Sequence, residues 1–97
     1  MSNVDDAVRQ LDSKKRWLEN MITGKRAPDA QRYLTQLSDQ LKQYESGVLK
    51  GTPQLATWQA YLQDATNRVN TLQLAEQADE LIRKWNDGMY VLITVHI

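Results

Sequence analysis

Hydrophobic side chains recur at alternating intervals of three and four residues along most of this chain. That spacing places them on one face of an α-helix, which completes a turn every ~3.6 residues. Turn-forming residues divide the pattern into three stripes, so we predict helices over residues about 3–23, 29–46 and 53–86. The pattern therefore predicts an all-α fold, an antiparallel helical hairpin or three-helix bundle, in a single domain spanning residues 1–97.

Glycine, proline and threonine mark the ends of these predicted helices. Gly24 follows the first stripe and is expected to end the first helix as its C′ residue. Pro28 fits the first turn of the second helix, where no backbone N–H is required. Thr52 followed by Pro53 predicts the start of the third, with threonine as the N-cap.

The third helix is predicted to be long, because no glycine or proline lies between residues 54 and 87. From Leu72 onward the apolar positions rotate around the helix axis. The alternatives are a kink near Asn70 and Thr71, two weak helix formers, or a second half that folds back as a fourth helix. A continuous helix would overhang the bundle and expose a hydrophobic patch that needs a partner. The predicted protein-binding residues there are Leu74, Leu81, Ile82 and Trp85.

The last segment, residues 89–97, carries no charge and is rich in β-branched and aromatic residues. This composition predicts a short C-terminal β-strand or an extended tail. A strand needs a partner for its backbone polar groups. The tail could pair with a second copy, add to the sheet edge of another protein, or pack on the helices as extended chain or as a helix end. Of the intermolecular modes we favour the homodimer, and Tyr90 and Leu92 join the predicted interface.

Trp17 completes that predicted interface. It lies at the edge of the first stripe, and partly exposed tryptophan is typical of interface hot spots. The alternative is that Trp17 only fills the core of a chain that contains no phenylalanine.

Residues capable of catalysis are few. The chain has no cysteine and one histidine, His96, next to its last residue. No serine has a neighbouring base, and no metal-binding or phosphate-binding motif is present. We therefore expect no enzyme activity, no cofactor and no metal site.

A basic cluster supports the alternative of a nucleic-acid-binding regulator. It consists of Lys14, Lys15 and Arg16 beside Trp17, with Lys25 and Arg26 at the next turn. However, three consecutive helical residues spread over about 200°, and the chain as a whole is balanced, with 12 basic and 12 acidic residues. We favour a solvated face from which Lys15 reaches past the apolar stripe to water.

These observations favour a small non-enzymatic accessory protein that binds another protein chain, as an adaptor, an inhibitor or an assembly chaperone. An association with a phage or a secretion system is one hypothesis for its origin. A structural subunit of a helical assembly is a further alternative. The N-terminus lacks an apolar run, so we expect no signal peptide, no membrane association and a cytoplasmic location, the host cytoplasm if the protein is viral.

Overall fold

A computed structural model describes the backbone of residues 3–96 and the side chains of residues 3–86. It contains three helices: α1 (Asn3–Thr23), α2 (Ala27–Glu45) and α3 (Pro53–His96). Among the residues described there is no strand, and the all-α prediction is confirmed. The bounds of α1 agree with those predicted, whereas α2 begins two residues early, at Ala27.

The core lies where α2 packs against both α1 and α3, which contact each other less. Leucine and alanine from the first two stripes meet Trp58, Ala65 and Val69 of α3, and Leu49 closes one end. Polar side chains add ties between the helices. The Nε2 of Gln40 and the hydroxyl of Tyr44 both donate to Oε1 of Gln10, each at 2.7 Å.

The turn between α1 and α2 differs from the prediction in the residue that ends α1. Lys25, and not Gly24, adopts the left-handed conformation, with a φ of 56°. The backbone N–H of Arg26 donates to the Met21 carbonyl at 2.9 Å, and that of Lys25 donates to the Ile22 carbonyl at 3.1 Å. These two bonds form a Schellman motif whose C′ residue is Lys25, so the prediction is wrong by one residue.

The start of α3 lies where the Thr52–Pro53 pair predicts it. The hydroxyl of Thr52 donates backward to the Leu49 carbonyl at 2.7 Å, which ties the helix start to the preceding turn. Gly51 precedes this point with a φ of 73°, a conformation that glycine adopts without steric cost.

The prediction of one continuous third helix is confirmed, because α3 is a single helix of 44 residues, about 66 Å long at ~1.5 Å per residue. The alternatives, a break near Asn70 and a second half that folds back as a fourth helix, are not what the structure shows. The last core residue on it is Val69. The molecule measures 74 × 19 × 15 Å and its radius of gyration is 19.8 Å, against about 13 Å for a compact domain of this length. We call residues 74–96 the overhang.

The predicted C-terminal strand or extended tail is wrong and the alternative of a helix end holds, since α3 continues through residues 89–96. Ile97 lies outside the described residues. A strand in this position would have needed a partner for its N–H and C=O groups. Extending a helix that already exists satisfies those groups within the chain, one hydrogen bond per added residue. That gain outweighs the β-propensity of the segment, which is a weak preference.

Candidate protein-binding site

The bundle half of α3 uses one face of the helix. Its apolar residues contact α1 and α2 and are buried or half-buried. We call them the inner stripe: Leu55, Trp58, Leu62, Ala65, Val69 and Leu72. Gln73 closes this region, because its Nε2 donates to Oε1 of Gln31 on α2 at 3.1 Å. Beyond it, every described side chain from residue 74 to residue 86 is exposed.

The hydrophobic residues of the overhang lie on the other face of the same helix. Leu74 comes two positions after Leu72, and at ~100° per residue this rotates the stripe by about 200°. The positions that would continue the inner stripe carry Glu76, Asp79 and Arg83 instead. The exposed fractions are 64% for Leu74, 68% for Leu81, 57% for Ile82 and 63% for Trp85. We call Leu74, Ala78, Leu81 and Trp85, with Ala75 and Ile82 beside them, the outer stripe.

The inner side of the overhang is polar. Glu76 and Glu80 line an open groove of about 440 Å³ with Pro28 and Gln31 at the start of α2. Lys84 pairs with Glu80 at 3.5 Å on the exposed helix surface. The apolar surface of the overhang is therefore confined to one face, which points away from α1 and α2.

Trp17 belongs to a different surface. It is 52% exposed and stacks on Tyr33 of α2 with ring centroids 6.1 Å apart. The guanidinium of Arg32 lies 5.6 Å from the centroid of the Tyr33 ring. The structure thus groups Trp17 with aromatic and cationic neighbours of the bundle, and the overhang residues form their own patch.

A polar cluster that no sequence pattern predicted joins α1 to α3. Both Nη atoms of Arg68 donate to the carboxylate of Glu19, each at 2.7 Å, in a bidentate pair. The hydroxyl of Tyr61 donates to the same carboxylate, also at 2.7 Å. We call Glu19, Tyr61 and Arg68 the Glu19 cluster.

The electrostatics of this cluster follow from its hydrogen bonds. The bonds from Arg68 hold the pKa of Glu19 below its ordinary value, against the opposing effect of burial. Burial, and then the bond to Glu19, raise the pKa of Tyr61. At neutral pH the carboxylate is therefore ionised and the phenol is protonated, which is the state that all three hydrogen bonds require.

The basic cluster of the nucleic-acid alternative is not assembled into one surface. The Nζ of Lys15 lies 4.7 Å from the centroid of Tyr61 and 5.9 Å from that of Trp58, so it faces α3. Arg26 pairs with Asp29 at 3.3 Å. Lys14 is half-buried, whereas Arg16 and Lys25 are exposed. Nucleic-acid binding stays a prediction that this geometry does not favour.

The remaining predictions concern two residues of the C-terminal segment, metal binding and membrane association. Tyr90 and Leu92 lie outside the residues whose side chains are described. Within the described part of the chain, no group of acidic, histidine or cysteine side chains could hold a metal ion. No helix there is both long enough and apolar enough to cross a bilayer.

Comparison with protein-family models, with curated proteins and with solved structures finds no match to this chain. Its function is therefore inferred from its own residues.

Proposed function

We propose that this chain is a small non-enzymatic accessory protein that binds another protein chain through the outer stripe of its overhang. An adaptor, an inhibitor and an assembly chaperone all work in this way. The observation that carries the proposal is the exposure of Leu74, Leu81, Ile82 and Trp85 on a helix face that no other part of the described bundle covers.

Burial of apolar surface is the main driving force for protein association. A contiguous exposed apolar patch on a folded domain is typical of an interaction site. Trp85 adds the side chain that is most enriched among interface hot spots. A bound protein would remove all four large side chains from water without any rearrangement of the bundle.

The test is site-specific photo-crosslinking in the cells that naturally make the protein. A photoreactive amino acid replaces Leu81 in one variant and Gln36, an exposed residue of α2, in the matched control. We expect adducts of discrete mass from position 81 and none of the same mass from position 36. If position 81 yields no adduct, or both positions yield the same adducts, the overhang is not the binding surface.

A further inference from the structure

The outer stripe has the periodicity of a helix–helix seam. Leu74, Ala78, Leu81 and Trp85 follow one another at intervals of four, three and four residues. Such a stripe suits another helix with the same spacing, packed along it as in a coiled coil. A second copy of this chain carries the same helix with the same spacing. Wherever the chain accumulates, that second copy is present as a partner.

The order of large and small residues favours an antiparallel pair. If the two-fold axis passes between residues 79 and 80, Leu74 of one copy is level with Trp85 of the other. Ala78 then meets Leu81, and Ala75 lies close to Ile82, so small residues face large ones. A parallel pair would instead set Trp85 against Trp85 and alanine against alanine, which leaves poorly filled space along the seam.

The charged residues of the overhang lie away from this seam. At ~100° per residue, Glu76 and Arg83 fall on the helix face opposite the outer stripe, and Lys84 pairs with Glu80 of its own helix. The seam itself therefore carries no charged side chain, and these charges stay in water when two outer stripes pack together.

The length of the overhang also suffices for a stable interface. In this register residue 96 of one copy reaches the level of residue 63 of the other, along the side of α3 that faces away from α1 and α2. The two helices then overlap for about 50 Å. A standard interface of ~800 Å² per partner needs a strip about 16 Å wide along that length. This is under half of the circumference of a helix about 12 Å across.

We propose that two copies of this chain associate through their overhangs as an antiparallel helix pair in this register. The inference rests on the proposed function for the location of the surface and adds the identity of the partner. The bundles of the two copies lie at opposite ends of the shared segment, each on the outside of the pair.

The absence of cysteine from the chain permits a direct test of the register. Full-length Leu74→Cys protein, carrying an affinity tag that changes its mass, is mixed with untagged Trp85→Cys protein and oxidised. We expect the disulfide-linked species to be predominantly the mixed dimer, and each variant alone to crosslink at least about 10-fold less. Homodimeric disulfides in preference to mixed ones would indicate a parallel pair and would overturn the proposal.

Sedimentation equilibrium over a range of concentrations provides the second measurement. We expect a monomer–dimer equilibrium in which Leu81→Glu raises the dissociation constant by about 30-fold or more, as for a hot-spot residue. The matched control, Gln36→Glu, should leave it unchanged. Circular dichroism checks that both variants fold.

A monomer at every concentration would overturn the self-association alone. If position 81 still gives photo-adducts with a different protein in cells, the proposed function stands and only the identity of the partner changes. If neither result appears, both proposals fail.

Discussion

Trp58 and Trp85 lie on the same helix, yet Trp58 is 7% exposed and Trp85 is 63% exposed. The first is surrounded by α1 and α2, and its ring meets Tyr61 edge-on at 5.7 Å. The second lies on the opposite face of α3, beyond the end of the other helices. One continuous helix therefore carries two hydrophobic surfaces. The surface around Trp58 stabilises the fold, and the surface around Trp85 remains exposed to solvent.

Residue type alone therefore does not decide whether a hydrophobic residue stabilises the fold or stays exposed. The inner stripe ends at Leu72 and the outer stripe begins at Leu74, and that offset changes the neighbours of every later residue. Matched substitutions in the bundle and in the overhang test whether the two surfaces have separate roles.

The largest difference is expected between Trp58→Ala and Trp85→Ala. Loss of the buried ring should lower the free energy of unfolding by about 3–5 kcal/mol, because a cavity replaces its packing contacts. Loss of the exposed ring should change it by no more than about 0.5 kcal/mol. Urea denaturation at a protein concentration that keeps the chain monomeric measures both. Similar losses for the two variants would show that Trp85 packs against the bundle.

A smaller difference is expected in amide hydrogen exchange along α3. Amides of residues 58–69 lie in the packed bundle and should exchange only through opening of the bundle, whereas those of residues 74–86 open locally. Isolated helices of this length are marginal in water. We expect protection lower by about 100-fold in the overhang of the monomer, measured by mass spectrometry or NMR. Equal protection in dilute solution would contradict this view of the overhang.

The smallest difference is expected between Glu19→Gln in the bundle and Glu80→Gln in the overhang. Glu19→Gln weakens the hydrogen bonds from Arg68 and Tyr61 and should cost about 1 kcal/mol, a value reduced by the partial exposure of the pair. Glu80→Gln removes only an exposed pair with Lys84 at 3.5 Å, and should cost about 0.3–0.5 kcal/mol. Chemical denaturation at neutral pH compares the two.

A fall in pH should reduce the contribution of Glu19 to stability. The pKa of Glu19 is lowered in the folded protein, so the unfolded state takes up a proton first as the pH falls. The stabilising contribution of Glu19 is therefore complete above its unfolded pKa of about 4.3 and is lost as the pH falls through the lower folded value. The gap in stability between the wild type and Glu19→Gln should narrow across that window. A gap that persists at the lowest pH would mean that glutamine disturbs packing and that charge is not the cause.

Periodicity was sufficient to predict the helices and the overhang, because both depend on local spacing. The exposure of Leu74, Leu81, Ile82 and Trp85 followed from a stripe that rotates on a helix without breaks. The predicted strand was wrong over residues 89–96, because extending the existing helix α3 satisfies the backbone polar groups within the chain, whereas β-propensity is a weak preference.

The Glu19 cluster escaped prediction for a different reason. Its hydrogen bonds join residues 42 and 49 positions apart in sequence, and no local pattern records which residues two helices bring together. The one signal available was Lys15, a cation within the first stripe. We predicted that its side chain reaches past the apolar stripe to water, whereas the structure places its ammonium group beside the rings of Trp58 and Tyr61.

The placement of the two stripes on opposite faces of α3 also affects how the chain can evolve. The described overhang side chains make no contribution to the buried core, and distant substitutions usually act independently on stability. Residues 74–86 can therefore change during evolution, and the binding partner can change with them. The inner stripe meanwhile remains under selection for folding. Selection on one helix can in this way act on two traits separately.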